Sequence, residues 1–183
     1  MTTEENQILA RCKDGDRESF RWVVTTYQQR IFSVALKMLA DEEEAKDVVQ
    51  ETFICVWQKL DAYDLQRPFS TWLYTIATRL CLNRLKQMRT VNSLPLDEQA
   101  LHRFAADADS YRTLENREWA SIVRLLAKGL SAKQRLVFTL CQLEGLPSSE
   151  VEQITGLDAR QVKSNLYVAR QTIRKRLKEL GYE

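Results

Sequence analysis

Apolar positions along this chain recur at steps of three and four rather than two. Phe20, Val23, Val24, Tyr27, Ile31, Val34, Ala35 and Met38 follow that spacing across Glu18 to Leu39. Val48, Val49, Thr52, Phe53, Val56 and Trp57 do so up to about Leu60, and Trp72, Leu73, Ile76, Ala77, Leu80 and Leu85 after Pro68. At about 100° per residue these side chains share one face of a helix. A short first helix is predicted over Gln7 to Lys13, stopped by Asp14-Gly15-Asp16. Asp41 caps the third, where Glu42, Glu43 and Glu44 favour the positive end of the helix dipole. Asp61 to Arg67 reads as a loop, and Pro68 suits a first helical turn, where a missing N–H costs nothing.

The pattern lapses between Thr90 and Asp109, a stretch holding Asn92, Ser93, Pro95 and four acids. It has too few large apolar side chains to offset the entropy of ordering it, so a linker without a fixed fold is expected. Helical spacing resumes over Leu114 to Ala127, Ser131 to Leu143, Ser149 to Thr155 and Leu157 to Leu180. The predicted architecture is all-α: two small helical domains, 1–89 and 113–183, joined by a flexible linker over 90–112.

The last of these helices carries the clearest chemistry. Val162, Leu166, Ala169, Ile173 and Leu177 form a narrow apolar stripe, and Asp158 is placed to cap its start. The other side holds Arg160, Lys163, Ser164, Tyr167, Arg170, Gln171, Arg174, Lys175 and Lys178. From Ala159 to Lys178 there are seven Lys or Arg and no Asp or Glu. An ordinary solvated helix mixes signs to gain i,i+4 pairs; this one carries only repulsion unless an anion covers it. A short helix, the turn Gly156-Leu157-Asp158 and a basic helix make a helix-turn-helix, whose second helix enters the DNA major groove.

The net charge of +2 conceals the asymmetry behind this reading. Residues 1–88 carry 12 basic and 13 acidic side chains, whereas 131–183 carry 9 and 6. A second, weaker basic patch follows the loop, with Arg67, Arg79, Arg84, Lys86 and Arg89 and no acid between Asp64 and Asp97. Cys12, Cys55, Cys81 and Cys141 are scattered and His102 is the sole histidine, so buried thiols are expected and neither a metal nor a cofactor. With no glycine-rich phosphate loop and no nucleophile motif, the chain does not read as an enzyme. Its longest apolar run, Phe53 to Trp57, is five residues, and its start is acidic and polar, so a cytoplasmic protein without membrane insertion is expected.

Two blocks of sequence resemble the bacterial RNA polymerase sigma factors of the extracytoplasmic-function group, within the sigma-70 family. The first is Asp47-Val-Val-Gln-Glu-Thr-Phe53, then Trp57, then Pro68-Phe-Ser-Thr-Trp-Leu-Tyr-Thr-Ile-Ala77. The second runs through Leu130-Ser, Arg135-Leu-Val-Phe138, Glu144-Gly, Glu150-Val, Gly156-Leu, Val162-Lys-Ser164 and Ala169-Arg170. The resemblance implies a monomer that binds core RNA polymerase, through the coiled coil of the largest subunit and the flap of the second-largest, directs initiation at specific promoters, and is held by an anti-sigma factor.

The resemblance also implies roles for residues. Asp47, Gln50, Glu51 and Gln58 would meet the polymerase, an acidic and polar face suited to a basic helical partner; Phe53 and Trp57 read as core beneath them. Tyr63, Arg67, Trp72, Arg79, Asn83, Arg84 and Lys86 would capture the melted minus-ten element, with cations for phosphates and aromatic rings, Phe69 among them, for everted bases. Trp72 reads equally as core or as a stacking surface. Arg160, Lys163, Ser164 and Tyr167 would approach base edges of the minus-thirty-five element, and Arg170, Arg174 and Lys175 its phosphates. The tandem tryptophan wedge of housekeeping relatives is absent, Thr75-Ile76 standing in its place. The alternative is a stand-alone helix-turn-helix regulator with a helical sensor or dimerisation domain, which leaves the first block unexplained.

Overall fold

The computed structural model describes residues 3–91, 129–179 and 181. Seven α-helices account for most of them, and no strand occurs among the described residues. In chain order they are α1 (Thr3–Lys13), α2 (Arg17–Leu39), α3 (Glu42–Lys59), α4 (Phe69–Val91), α5 (Ala132–Phe138), α6 (Ser148–Thr155) and α7 (Ala159–Glu179). A 3₁₀ turn, Leu60–Ala62, leads out of α3, and a π turn, Thr139–Leu143, extends α5. The helix expected over Leu114 to Ala127 and nearly all of the linker lie outside the described residues.

Local sequence sets the helix ends. Asp16 accepts from the Glu18 N–H at 3.0 Å and from the Ser19 hydroxyl at 2.7 Å, which starts α2. Asp41 accepts from the Glu44 N–H at 3.0 Å to start α3. Ser131 and Gln134 form a reciprocal capping box for α5. Asp158 and Gln161 do the same for α7, the Gln161 N–H donating to Asp158 at 2.8 Å and the Asp158 N–H to Gln161 at 3.1 Å. Helix α2 ends at Ala40, a non-glycine residue at φ 61° whose N–H returns to the Leu36 carbonyl at 2.8 Å. Helix α6 ends at Gly156, φ 71°, the left-handed cap from which the chain turns into α7.

Helices α1 to α4 enclose a core of Leu9, Val23, Ile31, Val34, Met38, Val48, Val56, Phe69 and Leu73, all buried. Helix α1 begins four residues before its expected start and is tied in by its own polar contacts. Glu5 accepts from the Tyr27 hydroxyl, and the Lys13 ammonium donates to the Tyr63 carbonyl at 2.8 Å. Burial and the Glu5 contact both raise the Tyr27 phenol well above its ordinary pKa. Cys12 and Cys81 are buried thiols, pushed up to about 11 and about 12 chiefly by desolvation.

The two helical units do not stand apart. One apolar cluster runs from the four-helix core into Leu136, Val137 and Leu140 of α5 and its π turn, and on to Val151, Ile154 and Val162. A smaller cluster of Leu130, Phe138 and Ala169, backed by Leu143, Leu166 and Ile173, joins α5 to α7. Helix α5 is thus apolar on both sides, one facing its own unit and one facing α2 and α4.

Candidate nucleic-acid and polymerase-binding surfaces

Helix α7 presents its basic side to solvent: Arg160, Lys163, Ser164, Tyr167, Gln171, Arg174, Lys175 and Lys178 are all exposed, while Val162 and Ala169 are buried. Tyr167 is 63% exposed, an unusual position for a phenol ring on a helix that already has a buried face. Arg170 lies at the edge of this surface. Its guanidinium grips the Gln142 side-chain oxygen through Nε at 3.1 Å and Nη2 at 2.8 Å, which ties the helix to the π turn. Val168, 40% exposed beside Ser164, belongs to the same surface and is missed by reading charge alone.

The loop and α4 form a second surface. Trp72, Ile76, Arg79, Asn83 and Lys86 follow one another at steps of four, three, four and three and so make a single stripe. Arg79, Asn83 and Lys86 are exposed on it and Trp72 is half-buried. The Trp72 ring stacks on Tyr63, centroids 4.7 Å apart and planes 29° from parallel. Tyr63, expected at the surface, is buried to 3%, its hydroxyl donating to the Arg67 carbonyl and its ring edge-on to Phe69. Burial pushes its phenol up to about 12. It serves as the platform beneath Trp72, because a ring with its hydroxyl satisfied internally gains more from the core than from water. Phe69, 1% exposed, is likewise core. Arg67 is exposed, with Asp64 at 3.6 Å.

Arg84 departs from the expected grouping. It sits roughly 100° around α4 from the stripe and faces α3, with Glu44 at 3.5 Å and Glu51 at 3.6 Å. The single step from Asn83 to Arg84 is what separates them on a helix. Spacing, rather than charge, was the signal that distinguishes the two.

The third surface is α3. Asp47, Glu51 and Gln58 line one exposed stripe with Gln50 beside it, while Val48, Thr52, Phe53 and Val56 are buried on the opposite side and Val49 half-buried. Ile54 falls in the middle of the polar stripe and is 58% exposed. Trp57, expected in the core, is 38% exposed and packs edge-on against Phe20 at 4.7 Å. These residues line an open groove of about 630 Å³ between α2 and α3, bounded by Arg17, Phe20, Gln50, Phe53, Ile54, Trp57 and Gln58. Phe53 keeps its expected place at the groove floor, whereas Trp57, with Phe20 of α2 edge-on against it, forms a wall.

An acidic stripe with apolar residues at its centre, an exposed cationic stripe beside a stacked tryptophan, and a helix-turn-helix with a basic second helix are the three surfaces these helices present. Residues 23–90 match the family model for sigma-70 region 2, and residues 121–173 the model for sigma-70 region 4, together well over half of the chain. The chain belongs to the sigma-70 family, in its extracytoplasmic-function group. It is 28% identical over 182 residues to the extracytoplasmic-function sigma factor SigW of Bacillus subtilis, covering 94% of this chain and 96% of that one. It is 27% identical over 180 residues to the sigma-E factor of Escherichia coli K12, covering 94% of each. Among solved structures, CnrH in complex with the cytosolic domain of CnrY superposes with a TM-score of 0.71 at 23% identity, covering 96% of this chain and 97% of that one. The sigma factor RpoE of Bartonella quintana, solved with the anti-sigma factor NepR, gives 0.65 at 22% identity, covering 88% and 98%. These two likenesses establish that the two-unit helical fold is shared.

Proposed function

We propose that this sigma factor docks on the largest-subunit coiled coil of core RNA polymerase through Asp47, Gln50, Glu51, Ile54, Trp57 and Gln58. It reads the melted minus-ten element with the Trp72, Arg79, Asn83 and Lys86 stripe, and the minus-thirty-five element with α7, while its C-terminal unit rests on the flap of the second-largest subunit. The observation that carries the docking face is Ile54, a large apolar side chain 58% exposed within a row of acids and amides. Interfaces of this kind combine a buried apolar anchor with a charged rim that steers the partner. The polymerising chemistry belongs to the core enzyme; this chain supplies specificity, is not an enzyme itself, and works where the polymerase works, in the cytoplasm. Among the described residues no helix is long and apolar enough to cross a membrane.

The linker over 90–112 allows the units to sit on separate elements, and an anti-sigma factor holds the protein inactive until a signal arrives, as NepR accompanies RpoE in the related structure. Changing Asp47 and Glu51 together to Lys tests the docking face. Core affinity falls while contacts to fork DNA stay as they were; unchanged affinity for core refutes the placement.

A further inference from the structure

Helix α1 has no part in the three surfaces above, and the region 2 match begins after it, at residue 23. Glu5, Leu9 and Lys13 follow one another at steps of four and share one face. Leu9 is fully buried, with the two charged residues half-buried on either side of it. Lys13 has an ordinary reading as a cation at the negative end of a helix dipole. The helix end, however, is closed by backbone alone. The Arg11 carbonyl accepts from the Asp16 N–H at 3.1 Å, and the Cys12 carbonyl from the Gly15 N–H at 3.0 Å. The Lys13 ammonium instead reaches 50 residues along the chain and donates to the Tyr63 carbonyl at 2.8 Å. A half-buried ammonium held in one geometry gives up side-chain freedom, which a charge-assisted bond offsets.

That carbonyl sits under a stack of rings. Tyr63 is the residue where the 3₁₀ turn gives way to extended backbone, φ −72° and ψ 130°, and its N–H returns to the Leu60 carbonyl at 3.0 Å. Its hydroxyl donates to the Arg67 carbonyl. With Lys13 on the carbonyl, all three polar groups of Tyr63 are held, and its ring has one orientation to offer. Trp72 stacks on that ring, and Phe69 lies 5.5 Å from Tyr63, 5.8 Å from Trp72 and 5.4 Å from Tyr27. Glu5, on the same face of α1 as Lys13, accepts from the Tyr27 hydroxyl. After burial, the Glu5 carboxylate is the next cause of the raised Tyr63 phenol. One face of α1 therefore reaches the four-ring cluster at two points, Tyr27 and Tyr63.

We propose that Lys13 is a positioning residue for minus-ten reading. By holding the Tyr63 carbonyl it sets the tilt of the Tyr63 ring and of the Trp72 ring stacked on it, so α1 tunes the capture of everted bases without touching DNA. The proposal rests on the minus-ten reading given above and adds to it a residue outside the DNA surface. A base stacked on an aromatic face depends on the angle of that face, because the contact is planar and short-ranged. Without the ammonium, the Tyr63 carbonyl turns toward water. The peptide plane is rigid, so the turn is carried into the adjoining backbone and the ring it bears.

Three variants of the full chain test it. Lys13→Met keeps the length of the side chain and removes the donor, Lys13→Arg restores a charged donor, and Tyr27→Phe removes the other α1 contact while keeping its ring. Each, bound to core polymerase, is titrated against fork DNA with a single-stranded minus-ten element and against the same fork with abasic sites there. Lys13→Met is expected to weaken binding of the base-bearing fork about fivefold, the lower end of what a stacked base contributes, and to leave the abasic fork unchanged. Lys13→Arg should recover most of that loss. Tyr27→Phe should lower Tm without changing the ratio of the two affinities. In the free protein labelled with fluorotryptophan, the fluorine resonance of Trp72, assigned with Trp72→Phe, should move in Lys13→Met and return in Lys13→Arg. Equal losses on both forks, no recovery in Lys13→Arg, the same change of ratio in Tyr27→Phe, or a Trp72 resonance that stays in place overturns the positioning role. A Trp72→Ala variant that keeps the wild-type ratio of affinities would sink minus-ten reading by Trp72 instead, while the fluorine resonance still decides whether Lys13 sets that ring.

Discussion

Replacing Ile54 by Ala isolates the apolar centre of the proposed docking face from its charges. At 58% exposure, Ile54 leaves about 100 Å² open to solvent. Covering that area with a partner is worth about 2.5 kcal/mol at about 25 cal/mol per Å², and truncation to Ala removes more than half of it. Association also immobilises the side chain, at a cost of about 0.5–1 kcal/mol, so the net loss is about 1–1.5 kcal/mol, roughly tenfold in affinity for core. The isolated protein should move the other way. Ala is a better helix former than Ile by a few tenths of a kcal/mol, and an exposed side chain leaves no cavity behind. Fluorescence titration of labelled protein with core polymerase, set beside a thermal melt of the free chain, separates the two. Weaker binding with an unchanged or slightly raised Tm is the expected pair of results. Unchanged binding, or weaker binding explained by a fall in Tm, refutes the assignment of Ile54 to the interface.

Further outcomes follow from individual residues. Ala40→Gly should stabilise the chain by about 0.5 kcal/mol, because relief of the left-handed conformation, about 1–2 kcal/mol, exceeds the added entropy of the unfolded chain, about 0.4–1 kcal/mol; a lower Tm contradicts this. Lys163→Ala should relax preference at one base position of the minus-thirty-five element at a cost of about 1–3 kcal/mol, whereas Arg174→Ala should weaken all sequences alike and flatten the salt dependence by about one unit; identical, sequence-independent losses across a promoter set at two salt concentrations remove Lys163 from base reading. Cys12 and Cys81 have folded pKa values raised from 9.0 to about 11 and about 12, so the protonated thiols favour the folded state. Their contribution is fully present below pH 9 and is lost as pH rises through these values, so replacing both by Ala should flatten the decline of Tm between pH 9 and 11. An equally steep decline in that variant assigns the alkaline sensitivity to other groups.

Much of this was legible in the order of residues. The 3.6-residue period marks α2, α3, α4 and α7, and Asp41 and Asp158 mark two helix starts by their ability to accept orphan N–H groups, whereas the structure adds Asp16, read as part of a stop, and Ser131 as caps of α2 and α5. The basic side of α7 emerges as exposed as its spacing requires. What the period does not carry is the partner of each face. Trp57 has the composition of a core residue, yet whether it is covered depends on how much its neighbours place over it, and with Phe20 edge-on against it the ring stays 38% exposed. The resemblance places Tyr63 and Arg84 with the DNA surface, whereas the loop geometry turns Tyr63 inward and one helical step turns Arg84 toward Glu44 and Glu51. The packing of the two units was also written into α5. Leu136, Val137 and Phe138 of α5, with Leu140 of the π turn after it, put apolar side chains on more than one side of this short segment, the mark of a helix covered from two directions.

The central claim is that this chain gives core polymerase its promoter specificity. The most direct test is to mix the purified protein with core polymerase and a library of promoter fragments, challenge with heparin, and recover the bound DNA. The account predicts heparin-resistant complexes only when protein and core are both present, on fragments sharing a minus-ten and a minus-thirty-five element, with the protein alone retaining none. Stable, dimeric binding of duplex DNA by the protein without core, unchanged when core is added, would contradict it and support a stand-alone regulator.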